Sequence, residues 1–223
     1  MSSKSIPTYL HPFPIIFEQT ALLVIDLQND FCHPEGFCSV EGADISAVRE
    51  IIPRIQKMIG WARKQGISVI YTRESHQADL SDATPSKKLR YANAGYPIGT
   101  PGKMGRFLIQ GERGTALVDE LQPLETELQI TKPAQSVFVS TDLEATLRQR
   151  QIEYLLFTGV TTECCVLGSY RHASDLGFYC LLLEDCCAAF SFQEHQAAIA
   201  VLQGENGAIG WVTCSEQLLN LQH

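Results

Sequence analysis

"TALLVIDLQND", residues 20–30, carries an unbroken apolar run from Ala21 to Ile25 that ends on Asp26. A short run without polar alternation suits a strand buried on both faces, as in a parallel sheet covered by helices on each side. The sequence that follows agrees. "ISAVREIIPRIQKMIGWARKQG" puts Ile45, Val48, Ile52, Ile55, Ile59 and Ala62 on one helical stripe, with Gly66 as its stop. "ISVIYT", 67–72, then predicts a second strand. Strand, helix and strand in this order imply a right-handed crossover.

The pattern repeats toward the C-terminus. "TELQITK", 126–132, predicts a strand ending in Lys132, and Thr141 with Glu144 reads as a capping box opening a helix. "EYLLFTGV" is a strand, "TTECCVLGSYRHASDLG" a helix stopped by Gly177, and "FYCLLLED" a strand. Ser191 and Glu194 form a second capping box for a helix reaching about Gly204, and "AIGWVT" is the last strand. Six strands alternating with helices predict an α/β fold, a doubly wound three-layer sandwich with a six-stranded, mainly parallel sheet. All 223 residues fit one domain, with residues 1–19 as an N-terminal arm. Residues 75–115, rich in Gly, Pro, Ser and Lys, read as a long loop over a functional site.

Totals exclude several classes of function. A net charge of −8 without a basic block argues against nucleic acid and against an anionic membrane surface. No apolar run approaches the ~18 residues of a membrane span. The Pro-containing start lacks a signal-peptide core and predicts a mature, cytoplasmic protein. Eight cysteines with no C-x-x-C spacing suit small core hydrophobes better than a disulfide framework or a zinc site.

In open parallel sheets, ligands bind beyond the carboxyl ends of the strands. Those ends deliver Asp26, Lys132 and the turn leading to Cys164 and Cys165. A carboxylate, an ammonium and a thiol at one rim match the needs of a cysteine nucleophile. The ammonium and a helix N-terminus favour the thiolate, and the carboxylate takes the proton. Thr162 as N-cap would put both cysteines in the first turn. Helical stepping slightly favours Cys165 facing the sheet and leaves the choice open.

"LLVIDLQNDFC", "ITKP" and "TGVTTECCV", in this order, resemble the isochorismatase-like cysteine hydrolases over about residues 20–213. The family pattern G-[VI]-x-T-x-x-C-V falls on Gly159, Val160, Thr162, Cys165 and Val166. The resemblance implies Cys165 as nucleophile, Asp26 as base and Lys132 as the third member of a triad. It also implies a cis peptide at Val160–Thr161, with the Thr161 and Cys165 N–H groups forming an oxyanion hole.

"YTRESHQADL", "GRFLIQGERG", "TDLE" and "LLLEDCCAA", with His195, are similar to the biuret hydrolase branch. That resemblance implies cleavage of a C–N bond in a small urea-type amide through a thioester, with release of ammonia. It implies no cofactor, and assembly as a homo-oligomer, dimer or tetramer. Phe31 is expected to line the pocket, and Glu205, or Gln203 nearby, to contact substrate. A carboxylate at 205 would favour a donor-rich or guanyl-urea substrate. Relatives that bind a metal carry D-x-H after the second strand. Here His76 and Asp79 stand without that motif, so no metal is predicted and His76 reads as a surface or loop residue. Cys186 and Cys187 keep a core reading. The alternative substrate, a ureidoacrylate or N-carbamoyl amino acid, would need a basic clamp such as Arg73 or Arg106.

Overall fold

The computed structural model describes residues 3–221. Its central sheet contains β1 (Thr20–Ile25), β2 (Ser68–Glu74), β3 (Leu128–Lys132), β4 (Tyr154–Val160), β5 (Tyr179–Ala188) and β6 (Trp211–Thr213). The order is β6-β5-β4-β1-β2-β3, and every neighbouring pair is parallel. The longer helices are α1 (Ile52–Lys64), α2 (Pro85–Asn93), α3 (Leu143–Gln149), α4 (Leu167–Asp175) and α5 (Phe192–Leu202).

The apolar run at 20–25 is buried at every position because the sheet has a core on each side. Leu22 and Val24 pack with Ile52, Ile55, Met58 and Ile59 of α1. Ala21, Leu23 and Ile25 pack on the opposite face with Leu143, Leu147, Tyr170 and Ile199 of α3, α4 and α5. Each fully buried Leu or Ile contributes roughly 1.5–3 kcal/mol relative to exposure.

The structure departs from the sequence reading in several places. The helix expected across 45–66 breaks at Ile51 into a short helix, Ser46–Glu50, and α1. Pro53 lies in the first turn of α1, where its missing N–H is harmless, and it could not have continued the preceding helix. Thr141 is not the N-cap of α3, which starts after Asp142; its hydroxyl donates to Val137 O at 2.5 Å and accepts from Leu143 N at 3.4 Å rather than from Glu144. Ser191 does cap α5, accepting from Glu194 N.

The N-terminal arm is packed rather than loose. Lys4–Ile6 and Phe13–Ile15 form an antiparallel ribbon whose Ile6, Phe13 and Ile15 are fully buried. Phe13 meets Tyr154 and Trp211 edge-on.

Residues 75–115 hold more order than a loop. They include α2, capped by Thr84, and a two-residue hairpin pairing Pro101–Gly102 with Gly105–Arg106. The segment is tied down by "QND". Asp30 Oδ2 accepts from Leu108 N at 3.1 Å, and Asn29 Nδ2 donates to Arg113 O at 3.0 Å. Gly114 is required here, since a Cβ would collide with the Asp30 carboxylate. Among the described residues no helix is long and apolar enough to cross a membrane.

Candidate active site

The chain starts at β1 in the middle of the sheet, adds β2 and β3 on one side, then crosses to β4 on the other. The crevice at such a reversal is where this architecture places ligands. Asp26 follows β1 in a left-handed conformation, φ 53°, and is fully buried. Its Oδ1 accepts from Thr72 Oγ1 at 2.5 Å. On the next strand pair, Glu74 and Lys132 are register partners, so both side chains leave the sheet on the same face. Gln28 clamps the Glu74 backbone by donating to its carbonyl at 3.0 Å and accepting from its N–H at 2.6 Å.

Lys132 Nζ is the hub. It lies 2.7 Å from Asp26 Oδ2 and 3.2 Å from Glu74 Oε2, and donates to Ala134 O at 2.9 Å and to Cys165 Sγ at 3.3 Å. The Cys165 thiol donates to Glu74 Oε2 at 3.1 Å. Glu74 Oε1 takes Lys87 Nζ and, at 2.9 Å, Tyr91 Oη, both from α2. Glu74, Lys87 and Tyr91 are site residues that sequence reading missed. The signal for Glu74 was the strand end itself, once β2 is carried two residues past Thr72.

The local backbone delivers Cys165 to this point. Gly159 pairs with Ile25 at φ 118°, and a Cβ there would collide with the Ile25 carbonyl. The Val160–Thr161 peptide is cis. A wide π-helical turn, Thr162–Val166, leads into α4. The cap position is therefore Thr161, not Thr162, and Thr161 O accepts from the N–H groups of Cys164 and Val166. Thr162 lies inside the turn, its Oγ1 paired with His195 Nδ1 at 2.8 Å. Cys165 ends up buried among the cluster, while Cys164 is half-buried beside it.

Environment divides the titrating groups. The Cys165 thiol is pushed well up by its hydrogen bond with Cys164 and by burial, against the pull of Lys132. The direction is opposite to the depressed pKa expected from the sequence. Burial also pushes Asp26 up, only partly offset by Lys132. Burial acts on Glu74 the same way, but the charges of Lys132 and Lys87 outweigh it and hold that carboxyl low. Lys132 loses hydration, yet Asp26, Cys165 and Glu74 keep it charged.

The cluster opens on a cavity of about 210 Å³, compact against the several hundred Å³ of most ligand sites. Phe31, Tyr91, Tyr96, Phe107 and Phe190 form much of its wall, with Glu74, Thr161, Glu163, Cys164 and Cys165 as polar groups. Phe31 thus stands where the sequence placed it. Glu205 and Gln203 do not line the cavity. α5 leaves the carboxyl edge of the sheet and runs back toward the start of β6, so its last residues sit at the opposite edge, where Glu205 is exposed. Arg73 and Arg106 are not in the wall either, and Arg106 Nε donates to Glu112 at 3.0 Å. His76 is fully buried, not at the surface, its Nδ1 3.2 Å from Asp82.

Asp26, Glu74 and Cys165 bring three potential ligand atoms within 4.8 Å of one another. The Lys132 ammonium contacts all three and already supplies the positive charge they call for.

Comparison with known proteins narrows the reading. Residues 20–217 match the family described as the isochorismatase domain. The chain is 34% identical over 214 residues to the ureidoacrylate amidohydrolase RutB of Yersinia enterocolitica, covering 94% of this chain and 92% of that protein. A cysteine hydrolase from Pseudomonas syringae superposes with a TM-score of 0.78 at 22% identity, covering 98% of this chain and 97% of the other, a likeness of fold. The nicotinamidase/pyrazinamidase PncA from Bacillus subtilis gives 0.69 at 27% identity, covering 87% and 99%.

Proposed function

The chain belongs to the isochorismatase family, and from that premise we propose that it is a cysteine-dependent amidohydrolase. It cleaves a C–N bond of a small ureido compound through a thioester-type intermediate and releases ammonia. One observation carries the reading. A buried ammonium touches both a thiol, at 3.3 Å, and a carboxylate, at 2.7 Å, beside a compact cavity.

The two carboxylates divide the work because their surroundings push their pKa values apart. Glu74, held low, stays an anion and fixes Lys132 and α2 in place. Asp26, pushed up, is the group able to take a proton and give it back. As Sγ bonds to the substrate carbonyl carbon, the thiol proton passes to Asp26. The developing oxygen anion is received by the backbone N–H groups of Thr161 and Cys165. The C–N bond then breaks, and Asp26 returns the proton to the departing nitrogen, which leaves as ammonia. Water attacks the S-acyl carbon, giving one proton to Asp26, which restores the thiol. The sum is one ureido group and one water converted to one carbamate and one ammonium.

The Yersinia relative favours ureidoacrylate as substrate. A second reading, an uncharged urea-type amide such as biuret, is favoured by the wall of the cavity, which holds no Lys, Arg or His among the described residues. Both compounds present the terminal ureido group that the mechanism consumes. Acid quench of the enzyme turning over either compound, followed by peptide mass spectrometry, should show an acyl adduct on Cys165. Ammonia release with the adduct on Cys164 would refute the assignment, and no ammonia from either compound would refute the function.

A further inference from the structure

Glu163 stands two residues before Cys165 in the same π-helical turn and lines the cavity. The mechanism above makes no use of it. Its Oε2 is shut off from solvent and has no hydrogen-bond partner among the described residues. Buried acceptors in folded proteins are nearly always paired, so an orphan on a residue that lines a ligand cavity asks for a donor from the ligand. Burial raises the carboxyl, and its own N–H and the Thr161 side chain ease the charge only in part. No cation neutralises it, and the charged group acting on it is Glu194, of the same sign.

The rest of the wall offers no competing explanation. Glu74 also lines the cavity, but its two oxygens are taken by Lys87, Tyr91, Lys132 and Cys165. The two cations near the floor are spent on Glu74 and Asp26. A substrate carrying its own carboxylate would therefore meet a half-buried like charge with no counter-ion, an arrangement that partial loss of water penalises. A substrate ending in amide or guanidine N–H groups would meet an acceptor already stripped of water.

We infer that Glu163 reads the far end of the substrate, accepting an N–H from a urea, amide or guanidine group and turning away substrates that end in a carboxylate. The inference rests on the amidohydrolase reading and names the substrate class within it. It separates this chain from the ureidoacrylate amidohydrolase activity of its Yersinia relative.

The test is a comparison of kcat/KM, read by ammonia release, for biuret and guanylurea against N-carbamoylglycine and ureidoacrylate. It uses the wild type, Glu163→Gln and Glu163→Asp. The wild type should favour the first pair by tenfold or more. Glu163→Gln removes the charge and adds an N–H donor, so it should shrink that ratio at least tenfold, chiefly by lowering KM for the carboxylates. Glu163→Asp keeps the charge and should keep the bias, which separates charge from size. A wild-type preference for the carboxylates, or a ratio that Glu163→Gln leaves unmoved, overturns the inference while the amidohydrolase reading stands. No ammonia from any of the four compounds would remove that reading and this inference with it.

Discussion

The chain contains the dipeptide Cys-Cys twice, and the two copies have opposite fates. Cys186 and Cys187 lie in β5, just past an irregularity where the pairing with β4 jumps from Phe157–Leu182 to Gly159–Cys187. Their side chains enter the two cores on opposite faces of the sheet. Burial pushes both thiols up, and Cys187 Sγ meets backbone groups, the Phe157 carbonyl at 3.7 Å and the Gly159 N–H. Cys165 is equally buried and is also pushed up. What differs is its company. It has an ammonium at 3.3 Å and a carboxylate able to take the proton beyond that. A raised thiol pKa alone therefore does not mark a cysteine as inert. Reactivity depends on whether the thiolate, once formed, has a fixed counter-charge and a place for its proton.

The strongest way to break the comparison is to exchange the roles by mutation. Cys165→Ser should abolish ammonia release, by roughly 10⁴-fold or more, as removal of a nucleophile does elsewhere. Cys187→Ala should leave kcat/KM within a few-fold and lower stability by about 1–2 kcal/mol, the usual result of removing a small buried group. Steady-state kinetics and urea denaturation on the two variants measure this directly. A dead but folded Cys187→Ala would show that the two pairs are functionally linked.

A second test makes the surroundings of Cys165 resemble those of Cys187. Lys132→Met removes the ammonium and leaves Asp26 and Glu74 as buried carboxylates facing each other. Activity should fall at least about 10³-fold, since both the thiolate and the proton shuttle lose their partner. Stability should fall by about 3–5 kcal/mol at neutral pH, the usual cost of breaking a buried pair. The pH dependence has a definite sign. Without Lys132, Asp26 loses its only cation and sits further above its unfolded value, while Glu74 keeps Lys87, so the folded state takes up a proton at Asp26 first as pH falls. The variant should therefore regain stability on going from about pH 8 to about pH 6. Wild-type Glu74 is held low, so its contribution is complete above its ordinary value near 4.5 and is lost only as pH falls below that. Glu74 thus adds no slope over the same range. Equal slopes in the two proteins would contradict the buried network.

Much of this was legible beforehand, for identifiable reasons. Buried runs such as Ala21–Ile25 have one reading in a chain that alternates with amphipathic helices, so the sheet and the strand-end residues Asp26 and Lys132 followed. Glu74 escapes a sequence reading because "TRES" is polar, and polarity ends the predicted β2 at Thr72. In fact Arg73 and Glu74 continue the ladder beside Thr131 and Lys132, and the charged end of a strand is where the chemistry gathers. The direction of the Cys165 pKa was misread because a helix start and a lysine can be seen in sequence, whereas full burial and the Cys164 contact cannot. Glu205 and Gln203 were placed by resemblance along the chain, but α5 had already carried the backbone to the opposite edge of the sheet.

The smallest expected effect concerns the neighbour within the pair. Cys164 is half-buried and lines the cavity, and its hydrogen bond is the largest influence raising the Cys165 thiol. In Cys164→Ala that influence is gone, while Lys132, Glu74 and Asp26 are untouched. The Cys165 pKa should move down, so alkylation by iodoacetamide should reach its half-maximal rate at a lower pH than in the wild type. Ammonia release should change by no more than about threefold, because a less basic sulfur forms its thiolate more readily but attacks less strongly. Tracking the Cys165 peptide by mass spectrometry across a pH series gives the shift. A midpoint that stays in place would mean that burial alone raises Cys165, and that in this respect it does not differ from Cys187.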